Sequence, residues 1–150
     1  MDVGEFVVVD ASLAFKWLVE EENSDRATAL ARIWADQGTQ LAAPPIMPFE
    51  VANALHRRVL RGELTVGVAS DLVQDLMSLG IFFHATPDLH SRALELASRL
   101  KQGAVYDAHY LALAESLGCE LWTADRRFHR AASLGVDNVR WIDELRIVDC

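Results

Sequence analysis

The sequence predicts an α/β fold, specifically a three-layer α/β/α sandwich around a mostly parallel five-stranded sheet. Short apolar runs alternate with longer segments of helical periodicity along the 150 residues, which is the order of a parallel sheet flanked by helices. The first run, Phe6-Val7-Val8-Val9, has no polar alternation and is typical of a strand covered on both faces. Gly or Pro residues stand at most transitions between segments.

The first half of the chain predicts two strands and four helices. Ser12, Ser24 and Thr65 are suitable N-caps for three of the helices. Gly38 and Gly62 stand where two helices should end. The segments are expected at 6–9, 12–20, 24–38, 40–43, 46–60 and 66–79.

The second half predicts three more strands and three helices. Pro87 or Asp88 can open the first of these helices, and Gly103 can close it. Gly135 separates the last helix from the last strand. The segments are expected at 81–83, 88–103, 106–117, 120–123, 126–133 and 139–142.

Composition and charge describe an ordinary globular chain, expected to form one domain over residues 1–150. Hydrophobic residues make up 51% and charged residues 24%, with a net charge of −8. The acidic start and the lack of any apolar stretch of about 18 residues predict a cytoplasmic protein without a membrane span. Cys119 and Cys150 belong to no ligand or disulfide pattern.

Four acidic residues fall where a predicted strand ends or a predicted helix begins. Asp10 and Asp125 follow apolar strands, whereas Glu50 and Asp107 lie in early helical turns. These places face one edge of a parallel sheet, where ligands bind. An acid of this kind taken alone is more often a helix cap or a solvated residue, and only the joint placement of the four favours a site.

Four carboxylates at one edge repel one another unless a cation neutralises them. Mg²⁺ or Mn²⁺ prefers oxygen ligands, and no Cys/His set for zinc is present. The matching chemistry is hydrolysis of a phosphodiester by a metal-activated water. Ser12 and Thr123 lie beside two of the acids, although Ser12 is expected to be an N-cap in any case and Thr123 can be an ordinary strand residue.

The overall negative charge argues against bulk capture of nucleic acid, but the basic residues are clustered. Arg57 and Arg61 share roughly one side of a helix with Glu50, and Arg126 and Arg127 follow Asp125 directly. These four arginines are candidates for contacts with a nucleic-acid backbone. The alternative is an exposed helix face with ion pairs within the helix.

Four motifs in this order give the chain a resemblance to the PIN-domain ribonucleases, and within them to the VapC-type toxins of prokaryotic toxin–antitoxin pairs. The resemblance covers nearly the whole chain. The motifs are Val8-Val9-Asp10-Ala11-Ser12, Pro48-Phe49-Glu50-Val51-Ala52-Asn53-Ala54-Leu55, Tyr106-Asp107-Ala108 with Ala112-Leu113-Ala114, and Leu121-Trp122-Thr123-Ala124-Asp125-Arg126-Arg127-Phe128.

The resemblance implies a metal-dependent endoribonuclease that cleaves single-stranded or loop RNA. It implies that Asp10, Glu50, Asp107 and Asp125 bind Mg²⁺ or Mn²⁺. Ser12 matches the small polar residue after the first acid, and Thr123 matches the hydroxyl before the last. A homodimer and a cognate antitoxin protein that blocks the site are also implied.

The motifs also fit other functions, and two further protein classes would need residues that this chain lacks. A PIN-like module that binds a partner without catalysis, or a housekeeping RNA-processing nuclease, would share the same motifs. A haloacid-dehalogenase-like phosphatase would need an acid where Ser12 stands. A phospho-acceptor receiver module would need a late lysine, and the only lysines are Lys16 and Lys101.

Overall fold

A computed structural model of the chain describes residues 5–102 and 105–145. These residues form a five-stranded sheet in which every pair of neighbouring strands is parallel. The strands, labelled β1 to β5 in chain order, are Phe6–Val9, Gln40–Ala43, Phe82–Phe83, Leu121–Thr123 and Val139–Trp141. The prediction of an α/β fold with five strands is therefore confirmed.

Seven α-helices connect the strands in the described residues, and a short 3₁₀ helix, Ile142–Glu144, follows β5. The helices, labelled α1 to α7, are Ala11–Leu18, Ser24–Gln37, Met47–Leu60, Val66–Met77, Leu89–Arg99, Tyr106–Leu117 and Arg126–Ser133. Their bounds differ from the predicted ones mostly by one or two residues. The predicted closing residue Gly103 lies outside the described residues.

Two of the predicted helix caps are wrong. Asp10, rather than Ser12, is the N-cap of α1, because its side chain accepts a hydrogen bond from the Leu13 amide. Asn23 precedes α2 in a left-handed conformation, and Ser24 instead accepts from the Glu21 amide. Thr65 caps α4 as predicted and accepts from the Val68 amide.

The strand order is β3-β2-β1-β4-β5, with β1 in the centre. The chain moves outward from β1 to β3, then crosses back to place β4 on the other side of β1. Right-handed crossovers in opposite directions put α1–α4 on one face of the sheet and α5–α7 on the other. The order reverses between β1 and β4, so a crevice is expected outside the carboxyl ends of these strands.

The core explains why β1 has no polar alternation. Val8 and Val9 have no exposed surface, and neither has Leu121 on the neighbouring strand. Helices cover the sheet on both faces, so apolar side chains are needed at successive positions of a central strand. Within the described residues, no helix combines the length and apolar character that crossing a membrane requires.

Candidate active site

Asp10 is the buried centre of the crevice between β1 and β4. It follows the last residue of β1, and only 5% of its surface is exposed. Its Oδ1 accepts hydrogen bonds from Ser12 Oγ at 2.7 Å and from the Leu13 amide at 3.0 Å. Its Oδ2 accepts one from Thr123 Oγ1. The carboxylate is therefore held in one orientation from both sides.

Ser12 and Thr123 join the ends of two neighbouring strands. Thr123, the last residue of β4, is fully buried, and its Oγ1 accepts from the Asp125 amide at 2.9 Å. Ser12 Oγ accepts from the Ala124 amide at 3.1 Å. Both hydroxyls thus link Asp10 to the turn that carries Asp125, in addition to the backbone pairing of β1 with β4.

Glu50 reaches the same region from the first turn of α3. Its Oε1 accepts a hydrogen bond from the hydroxyl of Tyr110 at 2.7 Å. Tyr110 lies on α6 and is almost completely buried. The hydrogen bond holds an acid of one helix against a helix on the other side of the crevice.

The two remaining acids differ in exposure. Asp107 lies half-buried in the first turn of α6, where the free amides of a helix start favour an anion. Asp125 is exposed and is the N-cap of α7, because its Oδ1 accepts from the amides of Arg127 and Phe128. The helix-cap interpretation of Asp125 is therefore confirmed, and it leaves Oδ2 available.

Burial and mutual repulsion shift the ionisation of three acids in the same direction. Burial raises the pKa of Asp10 to about 7, although its hydrogen bonds from Thr123, Ser12 and Leu13 act in the opposite direction. Burial also raises the pKa of Glu50 and of Asp107. The charge of Asp107 adds to the rise at Asp10 and Glu50, and that of Asp125 adds to the rise at Asp107.

These repulsions link Asp107 with Asp10, Glu50 and Asp125, as expected if the four acids act together. A cation would relieve the repulsion, and every available donor is an oxygen, which suits Mg²⁺ or Mn²⁺. Among the described residues, no three acidic, His or Cys side chains are grouped so that they could hold a metal ion by themselves. Magnesium commonly keeps several waters and needs only one or two carboxylates plus a substrate phosphate, so the site fits such an ion.

Comparison with known proteins identifies the family. A family model described as "PIN domain" matches residues 7–134. The chain belongs to the PIN-domain family. Its match includes all four acids, both hydroxyl residues and the four arginines predicted from the sequence.

Two relatives of this PIN domain are named as VapC ribonucleases. Ribonuclease VapC3 of Pyrobaculum aerophilum is 36% identical over 124 residues, which cover 81% of this chain and 90% of that protein. Ribonuclease VapC3 of Mycobacterium tuberculosis is 34% identical over 127 residues, which cover 85% of this chain and 88% of that protein. The predicted resemblance to the VapC-type ribonucleases is thereby confirmed.

Two solved structures share the fold of this PIN domain. The crystal structure of PAE2754 from Pyrobaculum aerophilum aligns with a TM-score of 0.69 and 21% identity, over 95% of this chain and 94% of that chain. Mycobacterium tuberculosis VapC20, described as a toxin that cleaves the sarcin–ricin loop, aligns with a TM-score of 0.64 and 21% identity. That alignment covers 89% of this chain and 98% of VapC20.

The predicted arginines divide into two pairs in this PIN domain. Arg57 lines a cavity of about 620 Å³ together with Ser12 and Glu50, and Arg127 lines one of about 370 Å³ together with Asp107 and Asp125. The other pair has protein partners. Arg61 lies 3.7 Å from Glu63, and the guanidinium of Arg126 lies 5.5 Å from the centre of the Trp141 ring.

Tyr110 is a side-chain contact of Glu50 that the sequence did not indicate. It stands three residues after Asp107 and therefore on the same side of α6. A tyrosine in an otherwise Ala- and Leu-rich buried helix is a signal that its hydroxyl has a partner. The partner is Glu50, sixty residues earlier, and no spacing within one helix could have indicated it.

Proposed function

We propose that this PIN domain is a metal-dependent endoribonuclease whose site is formed by Asp10, Glu50, Asp107 and Asp125. The observation that supports the proposal is that Asp10 follows the central strand at the switch point of the sheet, and that burial, and then the charge of Asp107, raise the pKa of both Asp10 and Glu50. The kinship with VapC ribonucleases gives the substrate class, and it makes the chain the toxin of a toxin–antitoxin pair.

Some residues of the chain would bind the metal ion, and others would orient the acids. Asp10, Glu50, Asp107 and Asp125 would together hold Mg²⁺ or Mn²⁺, with Asp10 the most buried of the four. The bound ion would supply an activated water and stabilise charge on the phosphoryl oxygens. Ser12 and Thr123 orient Asp10 through their hydrogen bonds, and Tyr110 orients Glu50, as partners of metal ligands commonly do.

The RNA backbone would pass over the acids between the two cavities. Arg57 lines the cavity that contains Glu50, and Arg127 lines the one that contains Asp107 and Asp125, so a strand in contact with both cavities would meet a cation in each. Arg61 and Arg126 would make contacts farther along the backbone, once released from their protein partners. A loop of ribosomal RNA is a reasonable first substrate, because VapC20 is described as cleaving one.

The partners of the toxin are also proposals. A cognate antitoxin would cover the acids and prevent cleavage in the cytoplasm, where its RNA substrates are found. The active form would be a homodimer, and light scattering on the purified protein would measure its mass.

The decisive experiment compares wild type with Asp10→Asn. Purified protein, freed of any antitoxin, is incubated with a pool of structured RNAs and Mg²⁺ or Mn²⁺. We expect endonucleolytic cleavage by wild type. Asp10→Asn should lose roughly 100-fold or more of it, because one of the carboxylates proposed to hold the metal is lost, and with it the charge stabilisation that the ion would supply at the phosphate. Excess chelator should abolish cleavage.

Asp36→Asn is the matched control, because it changes an exposed aspartate on α2, near the sheet edge opposite the acids. It should cleave as wild type does. Cleavage that persists equally in Asp10→Asn, or in chelator, would contradict the proposal. A wild-type protein that folds and binds RNA without cleaving it would instead indicate a binding module.

A further inference from the structure

Two large aromatic side chains are exposed directly beside the acids. Phe49 is 73% exposed and immediately precedes Glu50, and Tyr106 is 55% exposed and immediately precedes Asp107. Both line the 620 Å³ cavity that also contains Ser12 and Glu50. Neither ring packs in the core, and neither is needed to hold an acid in place. Exposed rings at the mouth of a polar site indicate a ligand with a flat apolar face.

We propose that this cavity is a nucleobase subsite, in which Phe49 and Tyr106 stack on an unpaired base of the RNA next to the scissile phosphate. The inference rests on the proposed ribonuclease function and adds a residue-level account of how the substrate is positioned. Both rings are positioning residues, distinct from the acids that would act on the phosphate.

The order of side chains along one side of α3 supports a nucleobase subsite. Phe49, Asn53 and Arg57 follow one another at intervals of four residues, so they lie along one side of the helix, and all three line the cavity. Asn53 offers an amide that can donate to and accept from a base edge. Arg57 offers a cation for a neighbouring phosphate. The side of α3 therefore presents a ring, a base-reading amide and a phosphate-binding cation in sequence.

The charges around the cavity favour a nucleotide as the occupant. Lys16 is neutralised by Glu21, whose Oε1 lies 3.1 Å from its Nζ. Arg57 takes part in none of the ion pairs found among the described residues. A cation that forms no ion pair among the described residues, next to exposed rings, complements the phosphate and the base of a nucleotide. Unpaired bases are commonly recognised by such stacking.

The volume is also suitable, since small-ligand sites commonly measure about 300–1,000 Å³. Glu50, one of the four acids, lines the cavity, as does Ser12, which donates to Asp10. A base held there would place its own phosphate beside the proposed metal. Only a single-stranded or looped region can offer a base in this way, because bases within a duplex are already stacked.

The test measures binding to two probes in excess chelator, so that no cleavage accompanies binding. One probe is a fluorescein-labelled single-stranded RNA oligonucleotide of mixed sequence, and the other is a ribose-phosphate chain of the same length without bases. Fluorescence anisotropy is recorded for wild type, Phe49→Ala and Tyr106→Ala. Phe49→Trp and Tyr106→Phe keep a ring, and Leu134→Ala removes an exposed apolar side chain near the opposite edge of the sheet.

We expect each alanine variant to weaken binding of the RNA roughly 5- to 150-fold and to leave binding of the base-free chain unchanged. The ring-keeping variants and Leu134→Ala should bind both probes as wild type does. In cleavage assays with Mn²⁺, the alanine variants should raise KM far more than they lower kcat.

Equal binding of RNA by Phe49→Ala, Tyr106→Ala and wild type would overturn the inference and assign the rings to a protein partner such as the antitoxin. Equal weakening for both probes would also overturn it, because the rings would then act without a base. Failure of the proposed function gives a different result, since wild type would then bind RNA with the expected base dependence but would not cleave it.

Discussion

Asp10 places a carboxylate where water hardly reaches, which makes its charge costly when no cation is near. In the metal-free protein its pKa is about 7, compared with an ordinary value of 3.8. The folded state therefore binds a proton more strongly than the unfolded state. Stability consequently falls as pH rises from about 4 to about 7 and stays low above that range.

We expect the metal-free Asp10→Asn variant to be more stable than wild type at about pH 8, by roughly 2–4 kcal/mol. Asparagine keeps most of the shape without a charge, so the difference should shrink greatly at about pH 5. Urea denaturation in excess chelator at both pH values measures it. A difference that is the same at the two pH values would show that the charge of Asp10 is not its cause.

Substitution of Asp10 is thus expected to affect stability and activity in opposite directions. The same substitution should increase the free energy of unfolding of the metal-free protein and abolish cleavage. Functional sites commonly carry such a cost. The raised pKa values of Glu50 and Asp107 have the same origin, because burial and like charges disfavour their ionised forms too.

At the scale of elements, the site depends on the pairing of β1 with β4. Parallel pairing alone aligns Val9 with Trp122, which brings the residues after each strand side by side. Thr123 then donates to Asp10 and accepts from the Asp125 amide. One buried hydroxyl therefore fixes the end of β1 relative to the start of α7.

We expect Thr123→Val to lower the free energy of unfolding by about 1–3 kcal/mol, because a buried carboxylate oxygen loses its donor and an amide loses its acceptor. The methyl group keeps the packing almost unchanged, so the loss is one of hydrogen bonding. Urea denaturation measures it for the single variant and in the Asp10→Asn background.

The double variant is the internal control for this prediction. If Thr123 acts through the charge of Asp10, its substitution should cost distinctly less when Asp10 is already Asn. Fully additive costs would show that the hydroxyl stabilises the protein independently of Asp10.

At the scale of the whole molecule, an acidic protein must bind a polyanion with few cations. The net charge is −8, yet twelve of the fourteen basic residues are Arg, and two of these line the cavities beside the acids. Local placement therefore matters more than the sum of charges. The protein should contact few phosphates of the RNA, and its RNA affinity should therefore depend only moderately on salt concentration.

We expect Arg57→Ala to weaken RNA binding and to reduce the slope of log K against log salt by about 0.7, the value for one contact with a single-stranded phosphate. Binding is measured by fluorescence anisotropy over a series of salt concentrations. Arg32→Ala is the control, because Arg32 is exposed on α2 and lines neither cavity. An unchanged slope for Arg57→Ala would remove this residue from the RNA path.

The hydrophobic periodicity and the positions of Gly and Pro predicted the strands and helices closely, because a strand or helix depends largely on neighbours a few residues away. Tyr106–Leu117 has the predicted bounds, and β2 does as well. Helix caps were less predictable. Ser12 and Asp10 both carry an oxygen that could cap α1. The pairing of β1 with β4 brings the Ala124 amide to the Ser12 hydroxyl, and Asp10 caps the helix instead.

The sequence by itself determined the fold class and the family, and it singled out the four acids as candidates, since the order of apolar runs, helical segments and acids is a local property. Tertiary structure alone decided how those acids differ. It buried Asp10, left Asp125 exposed, joined Glu50 to Tyr110 and placed Arg57 rather than Arg61 beside the acids. The physical reason is that burial, repulsion and hydrogen bonding depend on distances between residues far apart in the chain, which no local pattern records.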